Sequence, residues 1–325
     1  MGDVAKLHHT VPQFYLRGFA DTSERITTVK LPGEKRYTQV VKKTAATNHF
    51  YSIDGHPQGS DVFEKSLSDM EADAALVFDT IKGGTWPLSE EQRGTLATFM
   101  AVQRVRGPDH RRTMGYLAAT MTQLEVQVTG RENIQQWVKD RYGVEVDDDE
   151  AQEVWEQATQ PGGPPITVAP QEHIAQLVHS AENILPFIVG RPWTLVRFRR
   201  RSLVTSDLPV ALLPHPDDDP SRGVGFLTAL NITFPLTRRL GLMMGDLRKL
   251  AEANIPVEVV HAGGGDGVED GTTHLARLFN SLTVGSAAEY IYHHPDDDGV
   301  LPSPLPEPRE SNIWTPGLDD FGADQ

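Results

Sequence analysis

The feature that most restricts the fold is a change of hydrophobic period along the chain. From about residue 61 to 189, apolar side chains recur at helical spacing, as at Phe63, Leu67, Met70, Ala74 and Val77. On either side the apolar residues come as short runs bounded by turn residues: 26–31, 36–41 and 49–53 before the block, and 195–198, 202–205, 227–234, 240–243 and 257–260 after it. Residues 272–292 return to the helical period. Helices segregated from strands in this way predict an α+β protein. It has an N-terminal short helix and small β-hairpin, a central helical block, and a C-terminal antiparallel or mixed sheet with a closing helix.

Local punctuation sharpens this reading. Pro12 suits a first helical turn over 12–20, with Thr10 as its cap, and Pro32-Gly33 marks a turn between two strands. Asp61 with Glu64, and Ser89 with Gln92, have capping-box spacing. Gly83-Gly84 ends one helix and Gly107-Pro108 interrupts the next. Further helices are expected at 109–128, 131–142, 148–158 and 171–189, with the linker-like QPGGPP at 160–165. The chain therefore reads as one functional unit over 1–294, comprising 8–59, a helical block over 60–190, and a sheet plus helix over 191–294. An acidic, Pro-rich and poorly ordered tail is expected over 295–325.

Composition removes several chemistries. With no cysteine there is no disulfide framework, thiolate metal site or cysteine nucleophile. No apolar run approaches the roughly 18 to 20 residues that span a bilayer, and the opening lacks a secretion signal, so a cytoplasmic protein with no membrane partner is expected. Net charge is −15, unevenly spread: residues 1–112 hold 15 Lys/Arg against 14 Asp/Glu, and the acidic excess lies beyond them. Such a body repels long duplex nucleic acid but leaves room for a small anionic ligand held by a few arginines. P-loop, dinucleotide, nucleophile-elbow and HExxH patterns are all missing from the sequence.

Four groups of residues have the composition of a site. His8 and His9 precede the first helix, whose positive end disfavours their protonation and leaves imidazoles suited to proton transfer. Gln13 and Arg17, four apart, share a face of that helix and could bind substrate; the alternative is a terminal helix merely anchored by Tyr15, Leu16 and Phe19. Glu64 and Glu71 lie two turns apart on one face, suited to a divalent cation such as magnesium or manganese, or to a solvated or ion-paired role. Gln103 and Arg106, three apart, suit carboxylate or phosphate, unless Arg106 instead pairs with Glu64 or Glu71 between adjacent helices. Asp207 follows a strand in Ser206-Asp207-Leu208-Pro209, where an aspartate either serves a site or satisfies backbone N–H groups. The acidic loops His215-Pro216-Asp217-Asp218-Asp219 and His294-Pro295-Asp296-Asp297-Asp298 lack calcium-loop spacing and read as solvated.

The run His8-His9-Thr10-Val11-Pro12-Gln13-Phe14-Tyr15-Leu16-Arg17-Gly18-Phe19-Ala20 resembles the family catalogued as domain of unknown function 4238. Residues 48–51, Glu64, Glu71, Gln103-Arg104 with Arg106, Thr205 to Val210, Phe234-Pro235-Leu236 and Asn280 resemble it in the same order. The resemblance implies one functional unit and brings no activity. From the residues themselves, the expected function is a hydrolase, phosphoesterase-like or nuclease-like, acting on a small anionic or phosphorylated substrate. His8, His9 and Asp207 would be catalytic, Gln13, Arg17, Gln103 and Arg106 would bind substrate, and Glu64 and Glu71 would hold metal. The competing expectation is a non-catalytic ligand-sensing or regulatory protein built on the same groups.

Overall fold

The computed structural model describes residues 7–48, 51, 59, 61–219 and 223–309. These divide into two compact units, one formed by residues up to 108 together with 170–309, the other by 109–169. The expected helical block is thus shared between units. Among the described residues no helix is long and apolar enough to cross a membrane.

The first unit is α+β. Strand β1 (Leu7–His9) pairs antiparallel with β4 (Ala46–Asn48). Helix α1 is a single turn, Gln13–Leu16, continued by a 3-10 turn over Arg17–Phe19. Its N-cap is Pro12, with no side-chain cap; Thr10 instead turns both its N–H and its hydroxyl to Ala45 O. Strands β2 (Arg25–Lys30) and β3 (Lys35–Val40) form the expected hairpin and join a four-stranded antiparallel sheet, β3-β2-β11-β6, with β11 over Tyr290–His293 and β6 over Thr205–Ser206. A five-stranded sheet runs β10-β5-β9-β8-β7, with β10 (Gly267–Asp270), β5 (Trp193–Arg197), β9 (Leu240–Met244), β8 (Asn231–Thr237) and β7 (Ala211–Leu213). It is mixed, because β10 lies parallel to β5 while the other pairs are antiparallel.

Three helices of this unit, α2 (Val62–Lys82), α3 (Glu90–Val105) and α7 (Pro170–Val189), each bury an apolar stripe. The Ser89–Gln92 capping box is present, satisfying two orphan N–H groups reciprocally. The one expected at Asp61 is not, since the Asp61 carboxylate takes Lys65 Nζ at 3.0 Å instead. The core gathers around the signature turn: Tyr15 lies parallel to Phe234 at 5.3 Å, edge-on to Phe19 and Phe78, and close to Phe99. Its buried hydroxyl bridges Thr205 Oγ1 and Pro235 O, both at 2.7 Å, and so ties α1 to both sheets.

Two expected elements change type. Residues 257–260 form a helical turn, α9 (Val257–His261), rather than a strand. Pro256 starts it, and the glycines after it fold back, Gly264 N donating to Val259 O at 2.8 Å; this tertiary closure outweighs the small propensity cost of β-branched residues. The closing helix α10 (Thr273–Ser286) stops before Tyr290, because β11 is required between β2 and β6. Part of the expected tail is packed as well. Asp297 is buried, pairs with Arg238 at 2.7 and 2.9 Å and accepts from Ser202 at 2.9 Å, while Leu301 and Leu305 pack on Val29, Val204 and Ile291. Residues 310–325 lie outside the described residues.

The second unit is helical. Helices α4 (Pro108–Thr129), α5 (Ile134–Tyr142) and α6 (Asp148–Thr159), the last opened by an Asp147–Glu150 capping box, build a small core from Val126, Ile134, Val138, Ala151 and Ala158. Gly163 in the QPGGPP stretch has φ +73 and lies so close to Ala119 that a Cβ would sit 2.6 Å from its carbonyl oxygen, so this stretch is a packed turn.

Arg93 fastens several segments of the first unit to one another. Its fully buried guanidinium donates to Asp266 Oδ2 at 2.6 Å, to Val189 O at 3.1 Å and to Arg191 O, and lies 4.1 Å above the Trp193 ring. Burial pushes Arg93 down and Asp266 up, each against its charged form, so desolvation offsets much of the attraction. Removing one partner leaves the other charge buried alone. Arg93→Met is therefore expected to lower stability by about 3–5 kcal/mol, measured by denaturant unfolding.

Candidate functional site

The amino-terminal strand and helices α2 and α3 carry six of the predicted site residues: His8, His9, Glu64, Glu71, Gln103 and Arg106. Strand β1 carries His8 and His9, whose side chains alternate across the strand. His8 is fully buried and its Nδ1 accepts the backbone N–H of Tyr51 at 2.9 Å, so the remaining proton of the neutral ring is on Nε2. Its ring lies nearly parallel to that of Tyr51, 5.9 Å away. His9 is half-buried and its Nε2 donates to Lys42 O at 3.2 Å, which leaves Nδ1 as the acceptor. Burial lowers the His9 pKa below its ordinary value, against the opposing pull of that carbonyl and of Glu71. Neutrality of this imidazole comes from desolvation. The expected helix-end effect does not apply, because α1 is one turn long and both histidines sit in a strand.

Arg106 ends α3 and organises the group. It is almost wholly buried; Nη1 donates to Glu71 at 2.7 Å, Nη2 to His9 O at 2.6 Å, and Nε reaches the Tyr51 hydroxyl at 3.5 Å. That hydroxyl in turn donates to Arg106 O at 2.6 Å. Burial works against the charge of Arg106, but Tyr51 and Glu71 outweigh it and hold its pKa above the ordinary value. The ion pair with Glu71 is the inter-helix pairing that the sequence offered as the alternative to substrate binding.

Glu64, two turns before Glu71 on α2, has no such partner among the described residues. Its Oε2 is buried without a hydrogen bond from any of them, and desolvation, with Glu71 adding repulsion and Arg106 only partly compensating, raises its pKa to about 7. Gln103, one turn before Arg106, is 1% exposed, and neither its amide nitrogen nor its amide oxygen has a partner among the described residues. Unmatched buried polar atoms of this kind are uncommon in folded proteins and each calls for a reason.

The other predicted residues lie elsewhere. Asp207 holds the turn into β11: Oδ1 accepts from Ala288 N at 2.9 Å, and Oδ2 from Glu289 N and Tyr290 N at 2.7 and 2.9 Å. Arg17 is exposed and pairs with Glu24 at 3.0 Å. Gln13 is half-buried at the start of α1. Glu64 and Glu71 do not form a cation pair, since Glu71 is committed to Arg106 and Glu64 favours its protonated form. Among the described residues no group of three or more His, Asp or Glu could hold a metal ion. Two ring partners, Tyr51 and His173, lie nearly parallel at 6.4 Å beside the site without having been candidate site residues on spacing or residue type. His173 had a signal, because it falls on the apolar stripe of α7 with Leu177 and Ala181 at four-residue steps.

Glu64 gives the site a pH-dependent signature. Its pKa is raised from 4.5 in the free side chain to about 7 in the folded protein, so the native state holds that proton more tightly than the unfolded chain does. The resulting stability is fully present below the lower value and lost as pH rises through the higher. Glu64→Gln lacks this loss. Melting temperatures of variant and wild type should diverge in the variant's favour between about pH 4 and about pH 8; a constant gap would show that Glu64 is not desolvated. Glu71→Ala strands Arg106 and should cost about 3 kcal/mol in denaturant unfolding.

The family model described as "Protein of unknown function (DUF4238)" matches residues 7–297. No curated protein and no solved structure matches the chain.

Proposed function

For this chain, which belongs to the DUF4238 family of proteins of unknown function, we propose hydrolysis of a small polar ester or phosphoester by acid–base catalysis at the cluster around Arg106. The observation that carries the reading is Glu64: a carboxyl with a buried oxygen, unpartnered among the described residues, and a pKa of about 7, beside a buried arginine. A group poised near neutral pH is suited to proton transfer.

The roles follow from the hydrogen bonds. His9 Nδ1, left as an acceptor by the bond from Nε2 to Lys42 O, takes a proton from the attacking water. Protonated Glu64 gives one to the leaving oxygen. Gln103 offers its amide N–H groups and its carbonyl oxygen to the substrate, and His8 with Tyr51 holds β1 in place. Arg106 commits one N–H of each Nη to Glu71 and to His9 O, and so positions these residues. The steps use the chain's own groups, with no cation assigned to Glu64 and Glu71. An acidic chain of net charge −15 disfavours long duplex substrates.

The free Gln103 amide also favours a second reading, a ligand sensor in which the same atoms bind without turnover. Assays of p-nitrophenyl acetate and bis(p-nitrophenyl) phosphate across pH separate the two. Hydrolysis predicts a bell-shaped profile that falls near pH 7 as Glu64 ionises, and a loss of about 10²–10⁴ in kcat for Glu64→Gln. Turnover indifferent to both Glu64→Gln and His9→Ala would sink the assignment. Ligand-dependent thermal stabilisation without turnover would favour the sensor.

A further inference from the structure

The cluster leaves Arg17 unused, and Arg17 lines a separate concavity. A cleft of about 480 Å³ lies between the signature turn, the last turns of α2 and the connection from β8 to β9. That size is ordinary for a small-molecule site. Its walls are held in close contact at Gly18. Arg238 N donates to Gly18 O at 2.8 Å, and a Cβ on Gly18 would lie 3.3 Å from Thr237 Cγ2 and 3.4 Å from Leu236 O.

Four cations line this cleft, Arg17, Lys82, Arg238 and Arg239; Arg17 pairs with Glu24, Lys82 with Asp79 and Arg238 with Asp297, and Arg239 has no carboxylate partner among the described residues. In a chain of net charge −15, four cations against the three carboxylates Glu24, Asp79 and Asp297 leave a local excess of positive charge. The arginines also have donors to spare. Arg17 spends only Nε, on Glu24. Arg238 spends Nε and Nη2 on Asp297, a bidentate bond that fixes its plane. Arg239 spends Nη1 on Arg201 O. Both Nη groups of Arg17, Nη1 of Arg238, and Nε and Nη2 of Arg239 have no acceptor among the described residues. Lys82, in the last turn of α2, pairs with Asp79 and also offsets the partial negative charge of that helix end.

We propose that this cleft binds a small molecule bearing two or more phosphate groups. Guanidinium forks match phosphate oxygens geometrically, and cations brought to one cleft by three segments favour a ligand with more than one negative group. The binding is independent of the hydrolytic reading, because none of the four cations belongs to the Arg106 cluster.

Calorimetric titration of the full chain with inorganic pyrophosphate at constant ionic strength tests it. One saturable site is expected, weakened about tenfold or more by Arg17→Glu and by Arg239→Glu. Both side chains are exposed, and thermal unfolding of each variant checks that it folds; Arg17→Gln replaces any variant that does not. Lys139→Glu makes the same charge change on an exposed lysine of the second unit and should leave binding intact. Orthophosphate should bind more weakly than pyrophosphate. No saturation at about 10 mM pyrophosphate, an equal loss in Lys139→Glu, or equal affinity for orthophosphate would each overturn the proposal.

Discussion

A guanidinium taken out of water must be given acceptors, and in the first unit three arginines impose that requirement at once. Arg93, Arg106 and Arg191 are all fully buried. Each draws backbone carbonyls or a carboxylate from segments distant in sequence. Arg93 gathers the end of α7 and Asp266, and Arg191 gathers Phe187, Phe226 and Gly245. Arg106 gathers β1, residue 51 and α2. Losing any acceptor would leave a buried cation uncompensated, so the positions of these segments are mutually fixed. The candidate site is a product of that constraint: His9 and Glu71 are where they are because Arg106 needs them.

The acidic residues divide by how their charge is answered. Asp207 and Asp297 serve as fasteners, the first through three backbone N–H groups and the second through Arg238 and Ser202. Asp218 does the same for Arg248. The two His-Pro-Asp-Asp-Asp loops are built alike. In each, the histidine Nδ1 accepts the N–H two residues on, and the middle aspartate pairs with an arginine. Neither loop is simply solvated. Glu64 is the exception, a carboxyl near a buried cation that Glu71 has already claimed. Its oxygen is left without a partner among the described residues, and this asymmetry between two glutamates on one helix face gives the cluster its chemical character.

The cluster and the cationic cleft separate two properties that the sequence suggested together. Proton transfer needs groups with displaced pKa values, which burial supplies around Arg106. Anion binding needs cations with uncommitted donors, which exposure preserves at Arg17 and Arg239. One arginine cannot readily do both, since the bonds that make Arg106 tolerable in the interior also commit an N–H of each Nη.

Much of the architecture was readable in the sequence, because secondary structure follows local periodicity and turn chemistry. The helical block, the β2–β3 hairpin, the Ser89 cap and the α+β class are all written in residue spacing. So was the family resemblance, through the dense block from His8 to Ala20. The misread elements are those where distant contacts override local preference: the turn at Val257–His261, the strand at Tyr290–His293 and the packed segment after residue 295. The site divides the same way. Residue types at helical spacing marked Glu64, Glu71, Gln103 and Arg106 as candidates, but could not decide which glutamate Arg106 would take or that Asp207 would lock a turn. Those outcomes depend on which polar atoms are denied water and which acceptors lie within 3 Å, and only the tertiary packing sets either.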